Sequence, residues 1–390
     1  MLEAGRESKE QEAGSKKRDA RGGSEKQRRD LIWRLRPWTM MVALVSAFAS
    51  GIEASAAERK PVEIGTARGV VGQAVRGSLQ VAESADGSPV TLPLVVVTGR
   101  KPGPVVWLEA SAHGDEYGGP RALQDVVRNL DSETLSGTVV AVMITNPLAF
   151  RALQRVNPNL DDLEDFGDAF PGRERFATER IAAAVSNEVR RVAEYFVDLH
   201  TGGDRFRQHP FVFYTVSGKV PADRYDDLAR GFGIPTLWRD TGKVFAHDAT
   251  AVFAEAGLPS FLVEVGGGQP LDPADLTVQA DAIRSFLRKV GVLPGEPTRC
   301  SVFAVITGYR IVTNARGGFL DVSVKPGDRV RAGSVLARIV DVYGDTVETM
   351  TAPPESDIVL GVSTYPAAAT GGWLFEIGTG LHEAPAPGKK

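Results

Sequence analysis

Val105-Val106-Trp107-Leu108, running through Glu109-Ala110-Ser111-Ala112 into His113-Gly114-Asp115-Glu116, decides how this chain folds. Four consecutive apolar residues after the turn Gly99-Arg100-Lys101-Pro102-Gly103-Pro104 predict a strand. The lack of polar alternation predicts that both of its faces are buried. Similar runs recur at 138–144, 195–199 and 260–265, and stretches of helical pattern lie at 122–130, 180–193 and 273–290. Strands alternating with helices predict an α/β fold, a mixed and largely parallel sheet sandwiched by helices.

The chain has 390 residues, enough for two domains and a large core. A net charge of -4 argues for neither nucleic acid nor an anionic membrane as partner, and neither is expected. Cys300 is the one cysteine, so an intrachain disulfide and a cysteine metal cluster are both excluded. Residues 1–36 are polar and crowded with charge, residues 38–48 are apolar, and Ala54-Ser55-Ala56 has the small-residue pattern of a cleavage site. Together they predict a secretory signal cleaved near Ala56 or Ala57, hence export to the periplasm or beyond with no stable membrane insertion afterwards. Arg28-Arg29-Asp30-Leu31-Ile32 weakly resembles a twin-arginine signal, which leaves the export route open. After Pro297, short Val-rich and Ile-rich runs separated by Gly, Pro and Asp replace the helical pattern. The expected organisation is therefore an extension at 1–56, a catalytic domain at 57–298, an all-β domain at 299–380 and a disordered tail at 381–390.

Functional groups of an open α/β sheet collect at the carboxyl ends of its strands. The first run leads into His113 and Glu116, the 195–199 run ends at His200, and the 261–263 run ends at Glu264. Glycines follow at 202–203 and 266–268, where they allow close approach of a ligand. Of five histidines (113, 200, 209, 247 and 382), two thus stand at strand ends. His113, Glu116 and His200 are natural ligands for a zinc ion with one position left for water, and Glu264 is a natural base. Taken singly, each has a plainer reading as a satisfied polar group of the core.

Six segments in order resemble the succinylglutamate desuccinylase/aspartoacylase family, a branch of the zinc carboxypeptidase superfamily. They are Ala112-His113-Gly114-Asp115-Glu116, Asn146-Pro147-Leu148-Ala149-Phe150, Arg155, Phe170-Pro171-Gly172, Asp198-Leu199-His200-Thr201-Gly202 and Glu264-Val265-Gly266. The resemblance implies a zinc carboxypeptidase-like fold and one Zn2+ per chain on His113, Glu116 and His200. It also implies that Arg155 polarises the scissile carbonyl and that Glu264 is general base and acid. Asp198, two residues before His200, is a candidate to orient that ligand, or else a core hydrogen-bond partner.

One segment departs from the family. Where Asp-Leu-Asn-Arg usually precedes Phe-Pro-Gly, this chain has Asp165-Phe166-Gly167-Asp168 inside the acidic stretch 161–168. Glycine and aspartate cannot grip a carboxylate as Asn and Arg do. Asp165 and Asp168 would instead suit a substrate with an amine near the scissile amide. The alternative is a solvated acidic loop, with Arg173, Arg175, Arg205 or Arg207 reading a carboxylate.

Residues 319–339, with Pro326-Gly327-Asp328 at their turn, resemble a biotinyl/lipoyl-type barrel-sandwich hairpin. Glu348-Thr349-Met350-Thr351 has threonine where a carrier domain needs its acceptor lysine. This region is therefore expected to be a wall or scaffold. The leading expectation is a zinc-dependent deacylase of a small N-acyl compound. An exported zinc carboxypeptidase acting on peptides or cell-wall fragments, and a non-catalytic binding protein on the same fold, are the alternatives.

Overall fold

The computed structural model describes residues 61–242 and 244–385. The expected export signal and its cleavage site lie outside the described residues, as do residues 386–390 of the expected tail. The runs read as buried strands form the parallel centre of a 13-stranded sheet. Lys101–Ala110 pairs in parallel with Ser136–Val142 on one side and Tyr195–His200 on the other, and Ser260–Gly266 extends the parallel set. Antiparallel strands flank this centre: Pro89–Thr98 and Gln73–Glu83 at one end, Phe206–Thr215 at the other.

The central runs are apolar throughout because each strand serves two cores. Val106, Leu108, Val197, Leu199 and Val263 pack with Leu123, Ile283 and Phe286 from the helices Gly118–Arg128 and Pro273–Lys289. Trp107 and Phe196 alternate with them and pack with Ile181 and Val185 of the helix Ala177–Val192. A two-residue period carries this division along every strand. Asp272 caps the helix Pro273–Lys289 by accepting from Ala274 N–H, and Pro273 begins its first turn.

The helix expected from residue 122 starts earlier, at Gly118. Gly118 and Gly119, in its first turn, let the helix approach the sheet. A Cβ on Gly119 would lie 2.8 Å from Leu199 O, and one on Gly118 2.8 Å from Thr201 Cγ2.

The region after Pro297 is rich in antiparallel strands but forms no closed barrel among the described residues. Five of its strands join the large sheet, the last of them His382–Pro385. Val302–Ile306 pairs in parallel with Thr236–Asp240, and Ser356–Ser363 pairs with Phe206–Thr215 and with Trp373–Thr379, which pairs in turn with Gly308–Thr313. Gly318–Val322, Val335–Val340, Thr346–Thr351 and Ala367–Ala368 make a separate four-stranded sheet. Thr349 lies within that sheet, opposite Arg338.

His382–Pro385 corrects the expectation of a disordered tail from residue 381. It is a strand, bonded to Val302–Ile306, because the backbone of that edge accepts another strand whatever its side chains. Among the described residues no helix is long and apolar enough to cross a membrane.

Phe286 stacks on Phe232 at 4.3 Å between ring centroids and meets Phe261 at 5.4 Å, at the centre of the larger core. Phe286→Ala is expected to destabilise the fold by about 3–5 kcal/mol. Denaturant unfolding measures this, and a loss below about 1 kcal/mol would remove the ring from its central place.

Candidate active site

The strand period and the parallel register assemble the site. Trp107 and Glu109, Phe196, Asp198 and His200, and Glu264 all alternate onto one face. Glu264 stands beside His200, and Glu109 beside Asp198. Beyond Ala110 the chain leaves the sheet through Ser111, with a positive φ of 61°, into the loop that carries His113 and Glu116. Gly114 N–H donates to Arg155 O at 3.2 Å, and a Cβ on Gly114 would lie 2.1 Å from the Ala149 carbonyl carbon. Glycine is therefore required for this loop to rest against the helix Pro147–Ala152. That helix is started by Asn146, whose side chain accepts from Ala149 N–H, and it leads into Arg155.

At the centre, Glu116 joins both histidines. Its Oε1 lies 2.6 Å from His113 Nδ1, and its Oε2 lies 3.0 Å from His200 Nδ1 while accepting from Thr201 N–H at 3.1 Å. Each imidazole meets a carboxylate through its other nitrogen: His113 Nε2 with Asp165 Oδ1 at 3.0 Å, and His200 Nε2 with Asp198 Oδ2 at 2.9 Å. Behind Asp198, the buried Glu109 accepts from Trp107 Nε1–H at 2.8 Å.

Burial acts to raise Glu116, but the two imidazoles outweigh it and hold the carboxylate well below its ordinary range. Burial likewise opposes a charge on His200, yet Asp198 and Glu116 raise it well above the usual imidazole value. Donor atoms of His113, Glu116 and His200 all lie within 4.8 Å of one another. Two imidazoles and a carboxylate converging on one point, each imidazole backed by a second carboxylate, form a donor set that suits zinc.

These groups line a cavity of about 310 Å³. Glu264 reaches it with Oε1 buried and without a hydrogen-bond partner, and burial followed by the charge of Glu116 raises its carboxyl well above the ordinary value. Arg155 donates from Nε to Asp165 Oδ2 at 3.0 Å and places Nη1 3.5 Å from Glu116 Oε1.

The site residues expected from the sequence separate into three groups. His113, Glu116, His200, Arg155 and Glu264 come together, with Asp198 directly behind His200. Asp165 lines the cavity, but its oxygens engage His113, Arg155 and Gly167 N–H, whereas Asp168 and Arg205 are exposed at the same wall. Arg207 does not line the cavity and pairs with Asp272 and Asp275. Arg173 and Arg175 both pair with Glu179.

Several lining residues gave no sequence signal. Glu376 comes from the far strand Trp373–Thr379, accepts from Gln208 Nε2–H at 2.9 Å and from the Tyr309 hydroxyl, and is pushed up to about 7 by burial. Trp238, Phe213 and Phe245 form an aromatic wall with Tyr309. Asp248 caps the helix Ala249–Glu255 beside the same cavity. Of these, only Asp248 followed by a helical stretch carried a readable local pattern, that of an N-cap.

Residues 102–290 match the succinylglutamate desuccinylase/aspartoacylase catalytic domain. The chain is 31% identical over 300 residues to an N-alpha-acetyl-L-2,4-diaminobutyric acid deacetylase of Halomonas elongata, an alignment covering 74% of this chain and 85% of that one. In structure it is similar to the product-bound ectoine utilization protein EutE (DoeB) of Ruegeria pomeroyi, with a TM-score of 0.70 and 23% identity over 79% of this chain and 95% of that one. It is equally similar in fold to a succinylglutamate desuccinylase of Silicibacter, with a TM-score of 0.70 and 22% identity over 80% of this chain and 97% of that one. With its strand-end constellation and this identity to a relative it covers almost fully, the chain belongs to the succinylglutamate desuccinylase/aspartoacylase family of amide-cleaving deacylases.

Proposed function

We propose that this protein is a zinc-dependent deacylase that releases the acyl group from a small N-acylated amino acid carrying a second, protonated amine. The observation that carries the reading is the charge of the cavity. Among the described residues, Asp115, Glu116, Asp165, Asp168, Asp248, Glu264 and Glu376 line it, against the guanidinium groups of Arg155 and Arg205. Burial raises the carboxyls of Asp115, Asp248, Glu264 and Glu376, so a cation bound among them would be favoured because it lets them ionise. The Halomonas elongata relative is named for a substrate of this kind. A volume of about 310 Å³ lies near the lower end of the range for small-ligand pockets and suits a compact molecule better than a peptide or a cell-wall fragment.

The residues divide the work of hydrolysis. His113, Glu116 and His200 would hold the zinc ion, whose Lewis acidity polarises the scissile carbonyl and lowers the pKa of a water to roughly 7. Asp165 and Asp198 fix the two imidazoles from behind, so their Nδ1 atoms stay directed at Glu116. Glu264 takes a proton from the attacking water and delivers it to the amine as the C–N bond breaks. Arg155, oriented by Asp165, keeps further N–H donors for the carbonyl oxygen as negative charge develops there. Arg205, exposed at the wall and outside any ion pair among the described residues, is the cation placed to meet the substrate's carboxylate.

Purified protein should contain one zinc per chain and hydrolyse N-acetyl diamino acids in preference to N-acetylaspartate. A protein that cleaves only the aspartate compound, or whose turnover survives metal removal, would overturn this reading. Glu264→Gln should keep the zinc and lose about 10²–10⁴-fold in kcat; activity near wild type would dismiss Glu264 as the base. Asp198→Asn should weaken zinc affinity about 10–100-fold, read by competition with a chelating dye. Export belongs to the same proposal, and sequencing the secreted protein should find its N-terminus near Ala57.

A further inference from the structure

We propose that Glu376, Gln208 and Tyr309 form the subsite that receives the free ammonium group of the substrate, an inference that rests on the deacylase reading above. Gln208, Gly361 and Glu376 are register neighbours on three adjacent antiparallel strands. The middle position has no side chain, so the two outer side chains meet across it, Gln208 Nε2–H donating to Glu376 Oε2 at 2.9 Å. A Cβ on residue 361 would lie 2.6 Å from Gln208 Oε1 and 2.9 Å from Glu376 Oε2. Gly361 therefore lets these two oxygens sit side by side against the sheet, where any side chain at this position would displace them.

The pair is built to take a donor. Gln208 is 7% exposed, and its Oε1 is buried without a hydrogen-bond partner although the residue lines the cavity. A buried acceptor left in this state costs free energy unless a ligand or water satisfies it. Glu376, also 7% exposed, places a carboxyl next to that acceptor, with Tyr309 lining the same wall, and a bound ammonium would favour its ionised form. Tyr309 stacks on Trp238 at 4.7 Å between centroids, with Phe245 5.7 Å from Trp238, so aromatic faces border the same part of the cavity.

A carboxylate, an unpaired amide oxygen and aromatic rings together match an ammonium group with three N–H donors and a full charge. They do not match a second carboxylate, which Glu376 would repel. Gln208, Tyr309 and Glu376 line the same cavity as Glu264, Glu116 and Arg155, which places this subsite beside the reacting groups. Gln208 and Glu376 are thus specificity-determining residues, contributed from outside the parallel centre that carries the zinc ligands.

The experiment compares N-α-acetyl-L-2,4-diaminobutyrate with N-acetyl-L-norvaline, in which a methyl replaces the ammonium, on zinc-loaded protein. Wild type should prefer the cationic compound at least tenfold in kcat/KM. Glu376→Gln should reduce that ratio at least tenfold, chiefly through KM of the cationic compound. Calorimetry provides a second readout: L-2,4-diaminobutyrate should bind wild type at least tenfold more tightly than L-norvaline, and Tyr309→Phe should narrow that gap severalfold. A wild type that does not distinguish the two acetylated compounds overturns the proposed substrate class and this subsite with it. A wild-type preference that Glu376→Gln leaves unchanged, or an equal loss on both compounds, overturns the subsite alone.

Discussion

Glu116 is the carboxylate on which the site converges, since one of its oxygens meets His113 and the other meets His200. Holding a charge there needs compensation, because Glu116 is 2% exposed and surrounded by other acids. The compensation comes from two imidazoles, the Thr201 N–H and the nearby Arg155 guanidinium. Each of these is positioned in turn by Asp165, by Asp198 or by the backbone of the neighbouring strand. The arrangement is a layered one, in which acids that face the reaction are supported by bases and those bases by further acids. A divalent cation at the centre fits such a site because it adds positive charge where carboxylates have been brought together.

The region after Pro297 is part of the same construction. By adding Ser356–Ser363 to the edge of Phe206–Thr215, it continues the sheet that carries Glu264 and His200. That continuity brings Glu376 and Tyr309 to the cavity. On the proposed reading, the parallel centre and its loops supply the candidate metal ligands and base, while the appended strands supply other groups of the cavity wall.

Much of the reaction centre was legible because it follows strands. A buried strand is an apolar run, a polar residue at its end is conspicuous, and a two-residue period says which face it meets. His200 and Glu264 could be found in this way, whereas His113 lies in the loop three residues past the end of its strand. Asp198 could be found from its spacing to His200. Arg207 shows the limit: its charge suggested carboxylate recognition, but it spends that charge on Asp272 and Asp275. Asp165 shows another, since an acidic loop residue read as facing the substrate engages His113 and Arg155. Charge is visible in a sequence, whereas the partner that uses it is not.

The alternation of buried strands and helices, the residues near the strand ends and the chemistry available there can all be read from the chain alone. These are local properties, encoded by apolar runs, glycines and short spacings. What encloses that chemistry follows from the folded arrangement of distant strands. Gln208 and Glu376 are 168 residues apart and meet because Gly361, on the strand between theirs, has no side chain to separate them. Pairing between distant strands depends on sheet order and register, and no short stretch of this chain encodes either.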